Sequence, residues 1–597
     1  MEGNRDKNVV YFGKANFRST NRLFGIKRKD RRQHMYVMGK SGTGKTTLIK
    51  NLMIQDIANG DGVCLVDPHG EYAEEVIAKI PKHRIKDVVY FNPVDAEFQI
   101  GFNPLEIPDP RHKHLIASGL MAIFTKIWAG VWSPRMEYIL SNCILALLDT
   151  PGSTLLGIPR ILVDKDFRQK IVNNIEDPVV KAFWVTEYES WRDQFRNEAI
   201  VPIQNKVGQF LSTSMIRNVV GQQKSTLDIF DIMNSQKILI VNVSKGRIGE
   251  DNAALLGAMI ITKIQLTAME RVRIPEEERK DFFLYVDEFQ NFATESFADI
   301  LSEARKYRLN LILAHQYVGQ LVTENSTKVR DAVFGNVGTL IIFRVGAADA
   351  EFLENEFTPE LEIADLVNLP NYHIYLKLLV DGITSRPFSA STLPPFKMPT
   401  DTAEPAEIIE ASRKQYTKPR SEIEKEINNW SGAMGEGGIS SILLGQNQKS
   451  SGKPNAKLFS AVCSNCKKET KVNFDPDPTR PVYCNECYAK IKAGEMEPLP
   501  IKKERSEHEH LNTKPLAALG IEFEEEKKGK NETETPVKKS IFEEVGLPEP
   551  GRKRNRVSLS ELKPNEKVPR ERKRSEPDLA GLRASLKEAL EEEKHSS

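Results

Sequence analysis

The feature that most constrains this chain is an eight-residue segment, GKSGTGKT, at positions 39–46. It follows a short apolar run, HMYVM, and precedes an amphipathic run, TTLIKNLMIQDIA, so it joins a predicted strand to a predicted helix. Glycines at this junction let backbone N–H groups turn inward around phosphate oxygens at the helix N-terminus. Lys45 would place its charge on the β- and γ-phosphates, and the Thr46 hydroxyl would bind Mg²⁺. The segment therefore predicts a nucleotide-binding P-loop.

Apolar runs that alternate with helical patterns extend this signal along the chain. The predicted strands after the P-loop are GVCLV, DVVYF, ILIVNVS, FFLYVDEF, NLILAHQ, TLIIFRV and YHIYLKLLV. Such alternation indicates βαβ units and a parallel sheet, so the predicted fold class is α/β. Residues 110–230 contain helical patterns only. We therefore expect an all-α insertion that divides the α/β core into residues 34–109 and 231–400.

A second chemical signal lies where the strand FFLYV ends, at Asp287 and Glu288. In P-loop enzymes an acidic residue at this place holds Mg²⁺, and an adjacent carboxylate can polarise the attacking water. The next strand ends in Gln316, which either caps the strand or contacts the γ-phosphate. The pattern predicts Thr46 and Asp287 as the magnesium site, Glu288 as the catalytic base and Gln316 as a γ-phosphate sensor.

Five short motifs follow one another around these residues: DPHGEY (67–72), WSPRME (132–137), DEF (287–289), EARKY (303–307) and AHQ (314–316). With this combination the chain resembles the type IV secretion coupling proteins, the conjugative DNA-transfer ATPases of the HerA–FtsK superfamily. The resemblance covers about residues 10–430. It implies a RecA-like ATPase core with an inserted all-α domain, ATP and Mg²⁺ as cofactors, and a homo-hexameric ring that pumps DNA through its channel.

The resemblance also implies roles for individual residues. Arg305 lies where the family has an arginine finger that reaches the ATP of a neighbouring subunit, although an exposed helix arginine is the simpler interpretation of the residue itself. Arg344 is a second basic candidate beside the nucleotide, and Asp67 could order Mg²⁺ or the catalytic water. The predicted nucleotide-binding residues are Gly39, Lys40, Ser41, Gly42, Thr43, Gly44, Lys45, Thr46, Thr47, Asp67 and Asp287.

Four cysteines near the C-terminus form the third signal. Cys463 and Cys466 make one C-x-x-C pair, and Cys484 and Cys487 make another after a spacer of 17 residues. This spacing predicts a structural zinc ribbon with four thiolate ligands and no open position for catalysis. Lysines and arginines around the pairs leave both nucleic-acid contact and protein docking open as its role.

The remaining segments are interpreted from composition. We expect an N-terminal segment (1–33) whose basic run, Arg22 to Arg32, is a solvated surface. A charged helix and a Gly/Ser-rich linker are predicted at 401–457, the zinc ribbon at 458–495, and a disordered charged tail at 496–597. Basic clusters in that tail either keep the protein soluble or contact phosphates.

Composition limits the partners and the location of the protein. With 84 basic and 83 acidic residues the net charge is +1, which excludes a globally basic nucleic-acid coat but allows a local basic channel. The apolar stretch that begins at Ala253 is interrupted by Lys263, so no membrane span is expected. The prediction is a cytoplasmic protein, peripheral to the inner face of the membrane only through secretion-channel or relaxosome partners.

Three functional hypotheses remain open from the sequence. The preferred one is an ATP-hydrolysing DNA translocase. A secretion or pilus-assembly ATPase that moves protein is the first alternative, and stimulation of hydrolysis by DNA would separate the two. The second alternative is a nucleotide-dependent scaffold, which needs nucleotide binding but not the water activation that Glu288 and Gln316 suggest.

Overall fold

The computed structural model describes residues 8–16, 21–107, 109–323, 326–396, 401–431, 459–472, 481–492 and 496. The chain forms two compact units, residues 1–454 and 455–597. The predicted Gly/Ser-rich linker and the predicted charged tail with its basic clusters lie outside the described residues.

Strands occur in both units. In chain order they are β1 (Val9–Ala15), β2 (Arg22–Lys27), β3 (Met35–Met38), β4 (Gly62–Asp67), β5 (Val88–Phe91), β6 (Phe98–Ile100), β7 (Ile238–Asn242), β8 (Phe282–Val286), β9 (Leu309–His315), β10 (Thr339–Ile342), β11 (His373–Lys377), β12 (Leu379–Val380), β13 (Ile383–Thr384), β14 (Phe388–Thr392), β15 (Thr417–Pro419), β16 (Phe459–Val462) and β17 (Glu469–Val472).

The α-helices connect the consecutive parallel strands, and a longer segment that contains helices only lies between β6 and β7. In chain order they are α1 (Lys45–Asn59), α2 (Glu71–Ile77), α3 (Lys113–Ile127), α4 (Pro134–Leu148), α5 (Gly157–Val163), α6 (Lys165–Asn174), α7 (Pro178–Ala182), α8 (Asp193–Ser212), α9 (Ser214–Val220), α10 (Ile229–Asn234), α11 (Lys245–Ile248), α12 (Glu250–Met269), α13 (Glu295–Glu303), α14 (Lys328–Asn336), α15 (Ala347–Phe357), α16 (Ile363–Val367), α17 (Pro405–Tyr416), α18 (Arg420–Ser431) and α19 (Asn485–Lys492).

Eleven strands form one sheet in the order β2-β1-β14-β11-β10-β3-β9-β8-β4-β7-β5. The seven strands from β10 to β5 are parallel. The other four form an antiparallel edge, in which the β1–β2 hairpin is outermost. The predicted α/β fold with an all-α insertion is confirmed. The hairpin also makes residues before 34 part of this sheet rather than a separate segment.

Helices bury both faces of the sheet, and side chains along each strand point alternately into the two cores. Tyr36 and Met38 of β3 point into a core that also contains the helices of the insertion. Met35 and Val37 point into a second core, with α1 and α2. The insertion therefore packs on one face of the sheet, and the helix that begins at the P-loop packs on the other.

The N-terminal basic run is only partly the predicted solvated surface, because several of its members are exposed but Arg31 is not. The Arg31 guanidinium is buried, donating from Nη1 to Asp56 Oδ1 (2.6 Å) and from Nη2 to the Tyr285 hydroxyl (2.8 Å). Asp56 belongs to α1 and Tyr285 to β8, so Arg31 ties the P-loop helix to the strand that ends in Asp287. The prediction was wrong here because sequence shows a run of charge but not the distant acids that pair with it.

We expect Arg31→Ala to lower the free energy of unfolding by about 3–5 kcal/mol, because it leaves the Asp56 carboxylate buried without its partner. Denaturant unfolding of the full chain measures this loss. The control is Lys27→Ala, since Lys27 pairs with Asp381 through side chains that are 51% and 65% exposed, and a change of about 0–1 kcal/mol is expected there. Equal losses in the two variants would contradict this account of Arg31.

Among the described residues, one helical segment, Glu250–Arg273, is long and apolar enough to cross a membrane. In the structure 67% of its apolar window is buried inside the protein, between the sheet and the insertion. A buried core helix can have the same length and apolar composition as a membrane span, which explains why this segment meets both criteria.

Candidate functional site

The P-loop joins β3 to α1 at the carboxyl edge of the parallel strands, where α/β sheets bind ligands. Gly42 (φ 75°) and Gly44 (φ 116°) are in left-handed conformations that other residues rarely adopt. The loop is held from outside by three backbone hydrogen bonds, one of which runs from Gly39 N to His315 O (3.4 Å). Lys40 N donates to Arg344 O (2.9 Å), and Tyr372 N donates to Thr43 O (2.9 Å).

Lys45 lies inside the curve of the loop. Its side chain is nearly buried, and Nζ donates to the carbonyl oxygens of Gly39 (2.7 Å) and Lys40 (3.2 Å). Burial lowers the pKa of Lys45, while the charges of Glu288 and Asp287 act in the opposite direction. The ammonium is thus held among loop carbonyls and close to two carboxylates, which fits the predicted contact with nucleotide phosphates.

The other predicted loop residues differ in exposure. Lys40, Ser41 and Gly42 are exposed, and the backbone of Ser41 and Gly42 is open to a ligand, whereas the backbone of Lys40 is already hydrogen-bonded. Thr43 is buried, and its hydroxyl donates to Lys40 O (2.7 Å), which tightens the loop. Thr46 and Thr47 are half-buried in the first turn of α1. P-loops use a Ser or Thr hydroxyl at the position of Thr46 as a Mg²⁺ ligand, so the residue present fits the ion.

Asp287 follows β8 and is 5% exposed. Burial raises the pKa of Asp287 to about 6, with added contributions from the nearby charges of Glu288 and Asp67. An acid that is costly to ionise alone gains from a bound cation, because the cation stabilises the charged form. The environment of Asp287 therefore fits the predicted magnesium role.

Glu288 is held by two side-chain amides. Gln316, at the end of β9, donates from Nε2 to Oε1 (3.0 Å), and Gln290 donates from Nε2 to Oε2 (2.5 Å). Burial alone would raise the pKa of Glu288, but these hydrogen bonds and the charge of Lys45 lower it below the ordinary value. The carboxylate is thus ionised and oriented, and the structure brings Glu288 and Gln316, for which separate roles were predicted, into direct contact.

Asp67 is held by the backbone of the turn that follows β4. It is fully buried, and its two carboxylate oxygens accept backbone hydrogen bonds from His69 N (2.8 Å) and Ala73 N (2.9 Å). Gly70 between them has φ 91°, and a Cβ there would lie 2.9 Å from Asn242 Oδ1. Asp67 therefore stabilises the turn that begins α2. Its negative charge lies near Asp287, and its predicted role in ordering Mg²⁺ or the catalytic water stays a prediction.

Arg344 and Arg305 lie in different places. The backbone oxygen of Arg344 supports the P-loop, while its guanidinium donates to Asn371 Oδ1 (3.0 Å) and Leu369 O (3.4 Å). Arg305 is exposed, in a turn just before β9. Gln316 follows the other end of this strand, about 23 Å away for seven residues. Arg305 therefore lies far from the nucleotide site of its own chain.

Two residues beside the site were missed. Tyr372 is 57% exposed, and its ring covers Gly44 so closely that a Cβ there would lie 3.0 Å from Tyr372 Cδ1. Lys126 of α3 donates from Nζ to Gln290 O (2.6 Å) and Ala293 O (2.5 Å). Burial lowers the pKa of Lys126 to about 7. A lysine in an otherwise apolar helix could have signalled a buried partner, but nothing local indicates Tyr372.

The four predicted cysteine ligands lie together in the second unit. Their Sγ atoms are all within 4.8 Å of one another, and Cys466 Sγ is 3.6 Å from Cys484 Sγ. Tetrahedral zinc with Zn–S bonds of about 2.3 Å requires S–S distances of about 3.8 Å, so the cluster fits the ion. Cys463 and Cys466 lie in the β16–β17 hairpin, whereas Cys487 lies in the first turn of α19. The second pair thus begins a helix instead of forming a second turn of a ribbon.

We expect one zinc ion per chain, and Cys484→Ser should release it and unfold residues 459–492, because metal ligation supplies the folding energy of so small a unit. Metal analysis of protein purified without chelator measures the stoichiometry. The control is Cys143→Ser. Cys143 is buried in the first unit and is not one of the four ligands, so this variant should retain its zinc. Protein without zinc, or a Cys484→Ser variant that retains it, would contradict the assignment.

Two family models match the chain. One is described as the type IV secretion-system coupling protein DNA-binding domain and matches residues 23–357, more than half of the chain. The other is described as a probable treble clef zinc finger and matches residues 457–492. The second match confirms the predicted zinc site, but as a treble clef instead of the predicted zinc ribbon, in agreement with the hairpin-and-helix arrangement of the cysteines.

Solved structures also resemble the chain. The plasmid coupling protein TrwB in complex with ADP and Mg²⁺ is 16% identical with a TM-score of 0.48, covering 64% of this chain and 90% of that one. VirB4 of Thermoanaerobacter pseudethanolicus is 14% identical with a TM-score of 0.45, covering 68% of this chain and 100% of that one. No curated protein matches the sequence.

Proposed function

Because the chain belongs to the type IV secretion-system coupling protein family, we propose that it hydrolyses ATP to move DNA through a ring of its own copies. The observation that carries hydrolysis is the Glu288 carboxylate, which is ionised, half-buried and held by Gln316 and Gln290. A protein that only bound nucleotide would not need an oriented carboxylate after β8, in the same sheet as the strand that precedes the P-loop. The DNA substrate is supported by the family to which residues 23–357 belong.

Each residue of the site has a separate task in the proposed reaction. Mg²⁺, bound by Thr46 and Asp287, would supply positive charge to the β- and γ-phosphates. Lys45 moves from the loop carbonyls to those phosphates, and the exposed backbone N–H groups of the loop bind the remaining oxygens. Glu288 accepts a hydrogen bond from the attacking water and orients it, while Gln316 keeps the carboxylate in place.

The ring is proposed because Arg305 lies far from the P-loop of its own chain. The exposure of Arg305 and its position at the opposite end of β9 support the proposal that it reaches a nucleotide bound by another copy. No described residue forms a hydrogen bond or ion pair with its side chain in the single chain. We propose a homo-hexamer, with secretion-channel or relaxosome proteins as further partners at the cytoplasmic face of the membrane.

The rate of ATP hydrolysis with and without DNA tests this function. We expect single- or double-stranded DNA to stimulate turnover, and the stimulation should weaken when the salt concentration is raised, because phosphate contacts release counterions. A rate of ATP hydrolysis that neither form of DNA changes, but that a protein substrate increases, would favour an ATPase that moves protein. Binding of ATP without any turnover would favour a nucleotide-dependent scaffold.

A further inference from the structure

A largely buried lysine of the all-α insertion contacts the turn that carries the proposed catalytic base. Lys126 lies in the last turn of α3 and donates from Nζ to Gln290 O (2.6 Å) and Ala293 O (2.5 Å). These two carbonyls lie in and just beyond the short 3-10 helix Phe289–Asn291, which follows Glu288 directly. The ammonium therefore joins the insertion to the segment after β8.

The same turn determines where the Glu288 carboxylate points. Glu288 has φ 47°, a left-handed conformation that a non-glycine residue keeps only when its surroundings hold it. Gln290, whose carbonyl accepts from Lys126, also donates its side-chain amide to Glu288 Oε2 (2.5 Å). A shift of this turn would therefore move both the backbone of Glu288 and one of the two amides that orient it.

On its other side Lys126 is close to the surface of the insertion. Trp128, two residues further, stacks on Phe124 with ring centroids 4.6 Å apart and planes at 8°. The turn Ala129–Val131 follows, and Val131 is 50% exposed. The WSPRME motif that begins at Trp132 then opens α4. A few residues thus separate Lys126 from an exposed part of the insertion.

We propose that Lys126 is a positioning residue through which the all-α insertion sets the orientation of Glu288. This inference rests on the proposed hydrolysis of ATP at Glu288. The hydrogen bonds of Lys126 go to this turn and, among the described residues, none goes to the P-loop, so its effect falls on the attack of water and not on the binding of nucleotide. Movement of the insertion, for example when a partner binds it, would reach the catalytic base through this one ammonium and the turn that it holds.

The test compares two largely buried lysines. Lys126→Met removes the ammonium but keeps much of the side-chain volume, and we expect kcat to fall about 10²-fold, the effect of misplacing a catalytic group by about 1 Å. The Kd for ATP should stay within a factor of about two. The matched control is Lys263→Met, because Lys263 is also largely buried and donates to a carbonyl, Glu106 O (2.5 Å), away from the turn. It should keep the kcat of the wild type.

A second variant keeps the test informative if Lys126→Met does not fold. Gln290 is half-buried, so Gln290→Ala should fold and should lower kcat with an unchanged Kd for ATP. If both variants fold, the double variant should lose less than the product of the single effects, because both act through the same turn. A wild-type kcat in Lys126→Met or in Gln290→Ala would overturn the proposal.

Two further outcomes separate the proposal from its alternatives. An equal fall of kcat in Lys126→Met and Lys263→Met would indicate a general loss of stability and would also overturn it. A wild-type protein that binds ATP but does not hydrolyse it would instead overturn the proposed function, and the role of Lys126 with it.

Discussion

Replacing Glu288 with glutamine is expected to stop ATP hydrolysis while ATP still binds. The substitution keeps the shape of the side chain and removes the negative charge that polarises water. General bases contribute about 10²–10⁴-fold to rates, so kcat should fall by at least that order. Phosphate release measures kcat, and a fluorescent ATP analogue measures binding to the variant and the wild type.

Lys45→Ala is the control for this result. Its ammonium lies inside the P-loop, so its loss should remove ATP binding itself. Glu288→Gln and Lys45→Ala should therefore differ in their Kd for ATP, although both are inactive. An equal loss of ATP affinity in the two variants would contradict the separate roles that we assign.

Arg305→Ala should also bind ATP normally and hydrolyse it very slowly. An arginine finger neutralises charge that develops on the transferred phosphoryl group, and such residues contribute about 10³–10⁵-fold in rate. The neighbouring exposed residue, Lys306, provides the control, because Lys306→Ala removes a similar charge from the same turn. It should retain most of the activity.

Mixing experiments test whether Arg305 acts on another copy of the chain. When Arg305→Ala is mixed with Glu288→Gln, some interfaces pair an intact Glu288 on one chain with an intact Arg305 on the next. Partial recovery of turnover is therefore expected, together with activity that rises with protein concentration. An inactive mixture, or a fully active monomer, would contradict an arginine supplied by a neighbour.

Local sequence patterns predicted the parts of the site that follow buried strands. The P-loop, the acidic pair at Asp287 and the contact partner Gln316 all come directly after apolar runs that form β3, β8 and β9. Parallel strands place their carboxyl ends at one edge of the sheet, so residues far apart in sequence meet there. The split core could also be predicted, because residues 110–230 contain helical patterns only.

Contacts without a local pattern could not be predicted. The antiparallel edge strands β1, β2 and β14 lack the continuous apolar runs of the central strands, because several of their residues are partly exposed. The burial of Arg31 depends on Asp56 and Tyr285, which belong to other elements. The roles of Asp67 and Lys126 likewise depend on which backbone groups lie opposite them. Residue type alone does not determine a partner in a packed interior.

Directed movement of DNA is the most direct test of the central claim, that ATP hydrolysis at Glu288 drives translocation. The measurement is the displacement of streptavidin from biotinylated single-stranded DNA and of a third strand from double-stranded DNA. We predict displacement from at least one substrate by the wild type with ATP, and none by Glu288→Gln with ATP or by the wild type with ADP. DNA-stimulated hydrolysis without displacement from either substrate, or equal displacement by Glu288→Gln, would contradict the account.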